Sequence, residues 1–231
     1  MIRIGRVCMN RGKIIVLEGL DGCGKSTQLE LAVSSLRESG VDVRLVSFPN
    51  YGSSCGKVVS DYLAGNIPCD GSAGAYAASS FYAADRYASY NTNWKQAYEN
   101  GAVIICGRYT TSNAIYQMTK LTSAERDAFL EWLWDYEYNR LGIPQPDAVL
   151  FLDMPLEVSQ KLLSARYNGD ESKKDIHERD IDFMSRCRES ALYTAQKCGW
   201  RMVSCSENGE PRSVEDIHST VIEHIKEIIN G

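Results

Sequence analysis

Residues 19 to 27 read Gly-Leu-Asp-Gly-Cys-Gly-Lys-Ser-Thr, matching at every position the pattern glycine, four residues, glycine, lysine, hydroxyl residue. The chemistry this spacing supports is the grip on a nucleoside triphosphate. Gly19, Gly22 and Gly24 allow backbone torsions and close approach that a side chain forbids, so successive N–H groups, that of Cys23 included, can surround phosphate oxygens. Lys25 reaches the outer phosphates, Ser26 can place its hydroxyl on Mg²⁺, and Thr27 adds a donor at the start of the following helix. Transfer of a γ-phosphoryl group to a second phosphorylated molecule would bring two polyanions together and would need further cations. Arg86 and Arg108 are placed for an acceptor, where a planar guanidinium can hold a phosphate through two parallel bonds. Arg166, Lys173, Lys174 and Arg179 lie in or beside a polar, glycine-containing break.

These groups can act together only if the fold delivers them to one edge. Apolar, β-branched runs at Lys13 to Glu18, Val41 to Phe48, Ala102 to Cys106, Ala148 to Asp153 and Trp200 to Cys205 predict five strands. Helical periodicity separates them, beginning with a helix over Gln28 to Glu38, so the sheet is parallel and covered on both faces. Ligands of such sheets bind at the carboxyl ends of the strands, which makes the residues after each strand the candidates for chemistry. A long helical region from about Gly74 to Asn100 carries Phe81, Asp85 and Arg86, and its tyrosines read as core or subunit-contact residues. Another helix is predicted over Ser123 to Asn139, where Trp132, Trp134, Tyr136 and Tyr138 imply burial and carry no assigned chemistry. The charged segment Arg166 to Lys174 between two helical stretches reads as a lid that closes over donor phosphates.

Composition narrows the class. With 231 residues, 44% hydrophobic and 24% charged, the chain has the make-up of one globular domain. Its eight cysteines are scattered, without a Cys-x-x-Cys pair or zinc-ligand spacing, and read as reduced thiols of a cytoplasmic protein. Cys106 belongs to core packing and Cys23 is a small side chain tolerated in the loop. No stretch approaches the ~20 apolar residues of a membrane span, and the opening residues lack the apolar run of a signal peptide. A net charge of −5 argues against general affinity for nucleic acid, so the expected partners are small nucleotides.

A family resemblance is carried by five ordered segments. They are Leu-Glu-Gly-Leu-Asp-Gly-Cys-Gly-Lys-Ser-Thr-Gln, Phe-Pro-Asn-Tyr-Gly-Ser, Phe-Tyr-Ala-Ala-Asp-Arg-Tyr, Gly-Arg-Tyr-Thr-Thr-Ser-Asn-Ala-Ile-Tyr-Gln and Pro-Gln-Pro-Asp-Ala-Val-Leu-Phe-Leu-Asp. Together they resemble the thymidylate kinase family over nearly the whole chain. The resemblance implies an α/β fold of the P-loop NTPase type, a three-layer sandwich with a five-stranded parallel sheet and a short mobile lid at about 166–175, in one domain. It implies conversion of dTMP and ATP to dTDP and ADP with Mg²⁺, in a homodimer. Carried over, it makes Phe81 the stacking partner of thymine, Arg86 a contact of the acceptor nucleotide and Arg108 the ligand of its phosphate. Asp21 matches a position near the acceptor sugar and phosphate, and Ser112, Tyr116 and Gln117 match the base pocket. Phe48 and Pro49 match a wall over the nucleotide, with Tyr51 where many relatives carry arginine.

Two departures stand out. Gly107 occupies the place of an acidic residue that ordinarily helps position the metal or the phosphoryl groups, leaving Glu18, Asp21 or Asp153 as possible substitutes. Gly22 stands where some relatives place an arginine, so the catalytic cation is expected from Arg166, with Arg179 and Lys173 behind it. His177 is assigned no ligand role. The alternatives are a deoxynucleoside kinase, against which Gly107 counts because that reaction needs a carboxylate base, and a nucleotide-binding regulator that has lost turnover, which Gly107 keeps open.

Overall fold

The computed structural model describes residues 11–166 and 180–231. Its centre is one parallel sheet of β1 (Ile14–Gly19), β2 (Val43–Ser47), β3 (Val103–Gly107), β4 (Ala148–Asp153) and β5 (Arg201–Ser204), in the order β2-β3-β1-β4-β5. All six residues of β1 are buried, as a strand flanked on both sides and covered on both faces must be. Val16 lies opposite Cys106 in β3 and Val149 in β4, which fixes the register of the three central strands.

Side chains alternate across the sheet and feed two cores. Ile15, Leu17 and Ile105 face α1 (Lys25–Glu38), which inserts Leu29, Ala32, Val33 and Leu36. Ile14, Val16, Ile104 and Cys106 face the opposite layer. That layer includes α2 (Ser54–Leu63), α3 (Gly71–Ser89), α4 (Lys95–Glu99), α5 (Thr110–Tyr116) and α6 (Arg126–Trp134). Then α7 (Leu156–Arg166) follows β4, α8 (Ile181–Cys198) precedes β5, and α9 (Val214–Asn230) packs along α1. Ser213 caps α9 by accepting from the Asp216 N–H at 3.1 Å. Cys23, Cys69, Cys106, Cys187 and Cys205 are buried free thiols, and burial raises Cys106 far above the usual thiol range. No helix among the described residues is long and apolar enough to cross a membrane.

The elements differ from the sequence expectation at their ends. The first helix begins at Lys25 rather than Gln28, so Lys25, Ser26 and Thr27 form its first turn. The second strand begins at Val43 instead of Val41. The helical region expected from Gly74 begins at Gly71 and is interrupted by a π turn over Tyr90–Trp94, after which α4 resumes. The helix expected over Ser123 to Asn139 is a 3₁₀ turn, then α6, then a π turn over Asp135–Arg140. An antiparallel hairpin of β6 (Ser206–Glu207) and β7 (Glu210–Pro211) was not anticipated. Asn208 and Gly209 both take positive φ in its turn, the conformation that an Asn-Gly pair favours.

Ile105 is wholly buried between sheet and α1. Ile105→Ala should lower the unfolding free energy by about 2–5 kcal/mol, read from urea denaturation of the two proteins.

Candidate active site

Two adjoining cavities open at the carboxyl edge of β1, β2 and β3. The smaller, of about 200 Å³, is lined by Gly22, Cys23, Gly24, Lys25, Ser26 and Thr27 and reaches Gly107 and Arg108. Gly24 precedes α1 at φ 82°, with no side-chain cap and no acidic residue in the first turn. The unpaired N–H groups of that turn therefore form an anion site without a competing carboxylate. Lys25 donates its Nζ to the Gly19 carbonyl at 2.7 Å, so Gly19 acts from behind the cleft. Burial, and then the Arg108 cation, draw the Lys25 ammonium below its ordinary range, and the negative charge of a bound polyphosphate would oppose both.

The two glycine departures have steric counterparts. A Cβ on Gly22, at φ 80°, would stand 2.9 Å from Leu163 Cγ and 3.1 Å from the Ser159 carbonyl, because α7 packs against the loop there. A Cβ on Gly107 would stand 2.6 Å from Leu29 Cδ1, the terminal methyl of a side chain on α1. Of the carboxylates nearby, Asp21 pairs with Arg108 at 2.6 Å and Asp153 with Arg188 at 2.7 Å. Glu18 accepts through Oε1 from Thr111 and Ser112 at 2.7 Å each, while its buried Oε2 has no partner among the described residues. No group of three His, Cys, Asp or Glu among the described residues could hold a metal ion. Mg²⁺ needs no such cage, since it keeps waters and substrate phosphates around one or two protein oxygens, and the Ser26 hydroxyl on the cleft wall fits that part.

The larger cavity, of about 380 Å³, adjoins the first at Asp21 and Arg108, which line both. Phe48, Pro49 and Tyr51 form one wall in the loop after β2, with a cis peptide between Phe48 and Pro49. Asp85 holds that loop, accepting from the Asn50 N–H at 2.7 Å and the Ser53 hydroxyl at 2.9 Å. Arg108 adopts φ 66°, donates to Asp21 and lays its guanidinium 4.8 Å from the Tyr116 ring centroid. Burial opposes its charge, but Tyr116, Asp21 and Glu18 hold it above the usual guanidinium range.

Phe81 does not line this cavity; Tyr82 does. The reason is helical phase. Tyr82 precedes Arg86 by one turn and shares its face, whereas Phe81 shares a face with Asp85 and packs beside Tyr62 at 6.3 Å between ring centroids. Arg86 lines the cavity but is not a free phosphate clamp. It is buried and neutralised by Glu137, to which Nε donates at 2.7 Å and an Nη at 2.6 Å, and it reaches the Tyr109 carbonyl at 3.3 Å. Ser112 lines the cavity with its hydroxyl already donated to Glu18. Tyr116 and Gln117, neighbours at the end of α5, both line it.

Sequence reasoning passed over Tyr62, Tyr82, Asn113, Lys120 and Phe183, which also line the cavity, and Glu137 behind it. Asn113 stands one turn before Gln117, a spacing that would have revealed it. Glu137 carried no local signal. The arginine expected as catalytic cation, Arg166, ends α7, while Arg179, Lys173, Lys174, His177 and the lid over 167–175 lie outside the described residues.

The sequence model of the thymidylate kinase family matches residues 17–219. A probable thymidylate kinase of Pyrococcus abyssi is 31% identical over 222 residues, 96% of this chain and 99% of that protein. The thymidylate kinase of Mycobacterium tuberculosis is 28% identical over 204 residues, covering 86% and 93% respectively. A solved structure of thymidylate kinase from Candida albicans shares the fold with a TM-score of 0.68 at 22% identity, over 94% of this chain and 92% of that one.

Glu137→Ala should destabilise the protein by about 3–5 kcal/mol, because it strands the buried Arg86 charge, and Glu137→Gln should do so less. Chemical denaturation of the three proteins measures both.

Proposed function

The chain belongs to the thymidylate kinase family, and on that premise we propose that it transfers the γ-phosphoryl group of ATP to dTMP, giving dTDP and ADP. The observation that supports this most is the shared wall: Arg108 and Asp21 line both cavities, so one guanidinium stands where a donor and an acceptor phosphate would meet.

Phosphoryl transfer leaves little covalent work to the protein, and its catalysis is positioning plus neutralisation of charge. The loop N–H groups, Lys25 and the first turn of α1 hold the ATP phosphates. Ser26 would hold Mg²⁺, which supplies charge neutralisation to the phosphates when bound. Arg108 turns from Asp21 toward the acceptor phosphate, orients it for in-line attack and screens its repulsion from the donor. The apolar wall of Phe48, Pro49 and Tyr82 encloses the base, with Asn113 and Gln117 presenting amides to its polar edge. Discrimination between dTMP and dUMP rests on one methyl group in this wall and amounts to about 10- to 200-fold. The homodimer implied by the family belongs to this reading, and sedimentation of the purified protein tests it.

Purified protein with ATP, Mg²⁺ and dTMP should form dTDP and ADP, and thymidine should be a far poorer acceptor; the reverse preference would mark a nucleoside kinase. Arg108→Ala should lower kcat/KM for dTMP by about 10- to 100-fold, the worth of a charge-assisted contact, with a smaller change in ATP binding. Equal loss of both would make Arg108 structural. Tyr82→Ala should raise KM for dTMP, by about 5- to 150-fold for a base-stacking contact, whereas Phe81→Ala should leave KM near the parent value.

A further inference from the structure

Gln117 sits in a hydrogen-bonded triangle at the far end of the larger cavity. Lys120 donates its Nζ to Gln117 Oε1 at 2.9 Å and to the Tyr62 hydroxyl at 3.0 Å, and Tyr62 donates to the same Oε1 at 3.2 Å. An ammonium has only donors, so the amide atom facing Lys120 must be the oxygen. The nitrogen of Gln117 is then the group left for the cavity, and it makes no hydrogen bond among the described residues. Tyr62 alone could not impose this, because a hydroxyl accepts as readily as it donates. Lys120 is the group in the triangle that removes the choice.

One turn earlier on the same face, Asn113 is fixed in the opposite sense. Its Nδ2 donates to the Ser79 carbonyl and to Glu137 Oε1, both at 3.3 Å, so its oxygen is the atom left for the cavity. The pair therefore offers an acceptor and then a donor to the edge of a base. A pyrimidine with N3–H and a carbonyl at C4 answers that order, and cytosine, with an unprotonated N3 and an amino group at C4, reverses it.

We propose that Lys120 is a positioning residue for base selection: held with Tyr62, it locks the Gln117 amide so that its nitrogen meets the C4 carbonyl of the acceptor base. In this arrangement Lys120 acts through Gln117. The inference deepens the functional reading above and rests on it.

The test compares dTMP with dCMP, both as substrates and by calorimetric binding. Lys120→Met keeps the aliphatic stem, removes the donor and lets the amide turn over. Its preference for dTMP over dCMP in kcat/KM should fall about tenfold, the worth of one net hydrogen bond, through a higher KM for dTMP with kcat nearly unchanged. Lys120→Arg should restore the preference. Gln117→Glu keeps the contact to Lys120 but leaves no donor, and should move binding toward dCMP; if Lys120→Met does not fold, a retained preference for dTMP in this variant still overturns the proposal. A folded Lys120→Met with an unchanged ratio, or a Gln117→Glu protein that still selects dTMP, overturns the proposal. Wild-type protein that binds neither pyrimidine nucleotide overturns the functional reading instead.

Discussion

The carboxylate of Glu137 is the point on which the acceptor side depends. It is wholly buried and accepts hydrogen bonds from Arg86 on α3 and from Thr110 and Asn113 on α5. A buried carboxylate is tolerated only when its charge is matched and its lone pairs are filled, and here four donors do both. The same bonds fix how α3 and α5 face each other. Arg86, adjacent to Asp85, then carries the constraint onward, since Asp85 holds the loop containing Phe48 and Pro49. One charge without local sequence signal thus ties together three walls of the cavity.

The donor side depends on different physics. Here the glycines matter for the space they leave: α7 fits against Gly22 and Leu29 of α1 fits against Gly107. At both glycines a Cβ would therefore meet a neighbouring helix. Glu18 lies beneath this region with one oxygen holding α5 and the other unpartnered among the described residues.

Much of the architecture was legible because parallel strands buried on both faces leave continuous apolar runs, and the runs around Ile15, Ile104 and Leu150 are unambiguous. The conformation of the glycine loop was legible because it resides in backbone torsions, which glycines advertise directly. Legibility failed where direction matters within a helix. Phe81 and Tyr82 are adjacent aromatic residues in the same motif, and only the phase of α3 relative to Arg86 separates them. It failed also for Glu137 and Lys120, whose partners are distant in sequence or depend on how α5 passes into a 3₁₀ turn. The hairpin around Asn208 and Gly209 did carry a turn signal in its residues, but its strands are too short for periodicity to show.

Because Arg108 and Asp21 line both cavities, the two can be treated as the ends of one elongated receptor. A single molecule carrying a thymidine unit at one end, an adenosine unit at the other and a phosphate chain threaded past that guanidinium would surrender its translational freedom once rather than twice. Its affinity would then exceed that of either half by the effective concentration the tether imposes, and the chain length giving the tightest grip would measure the gap across which the phosphoryl group travels.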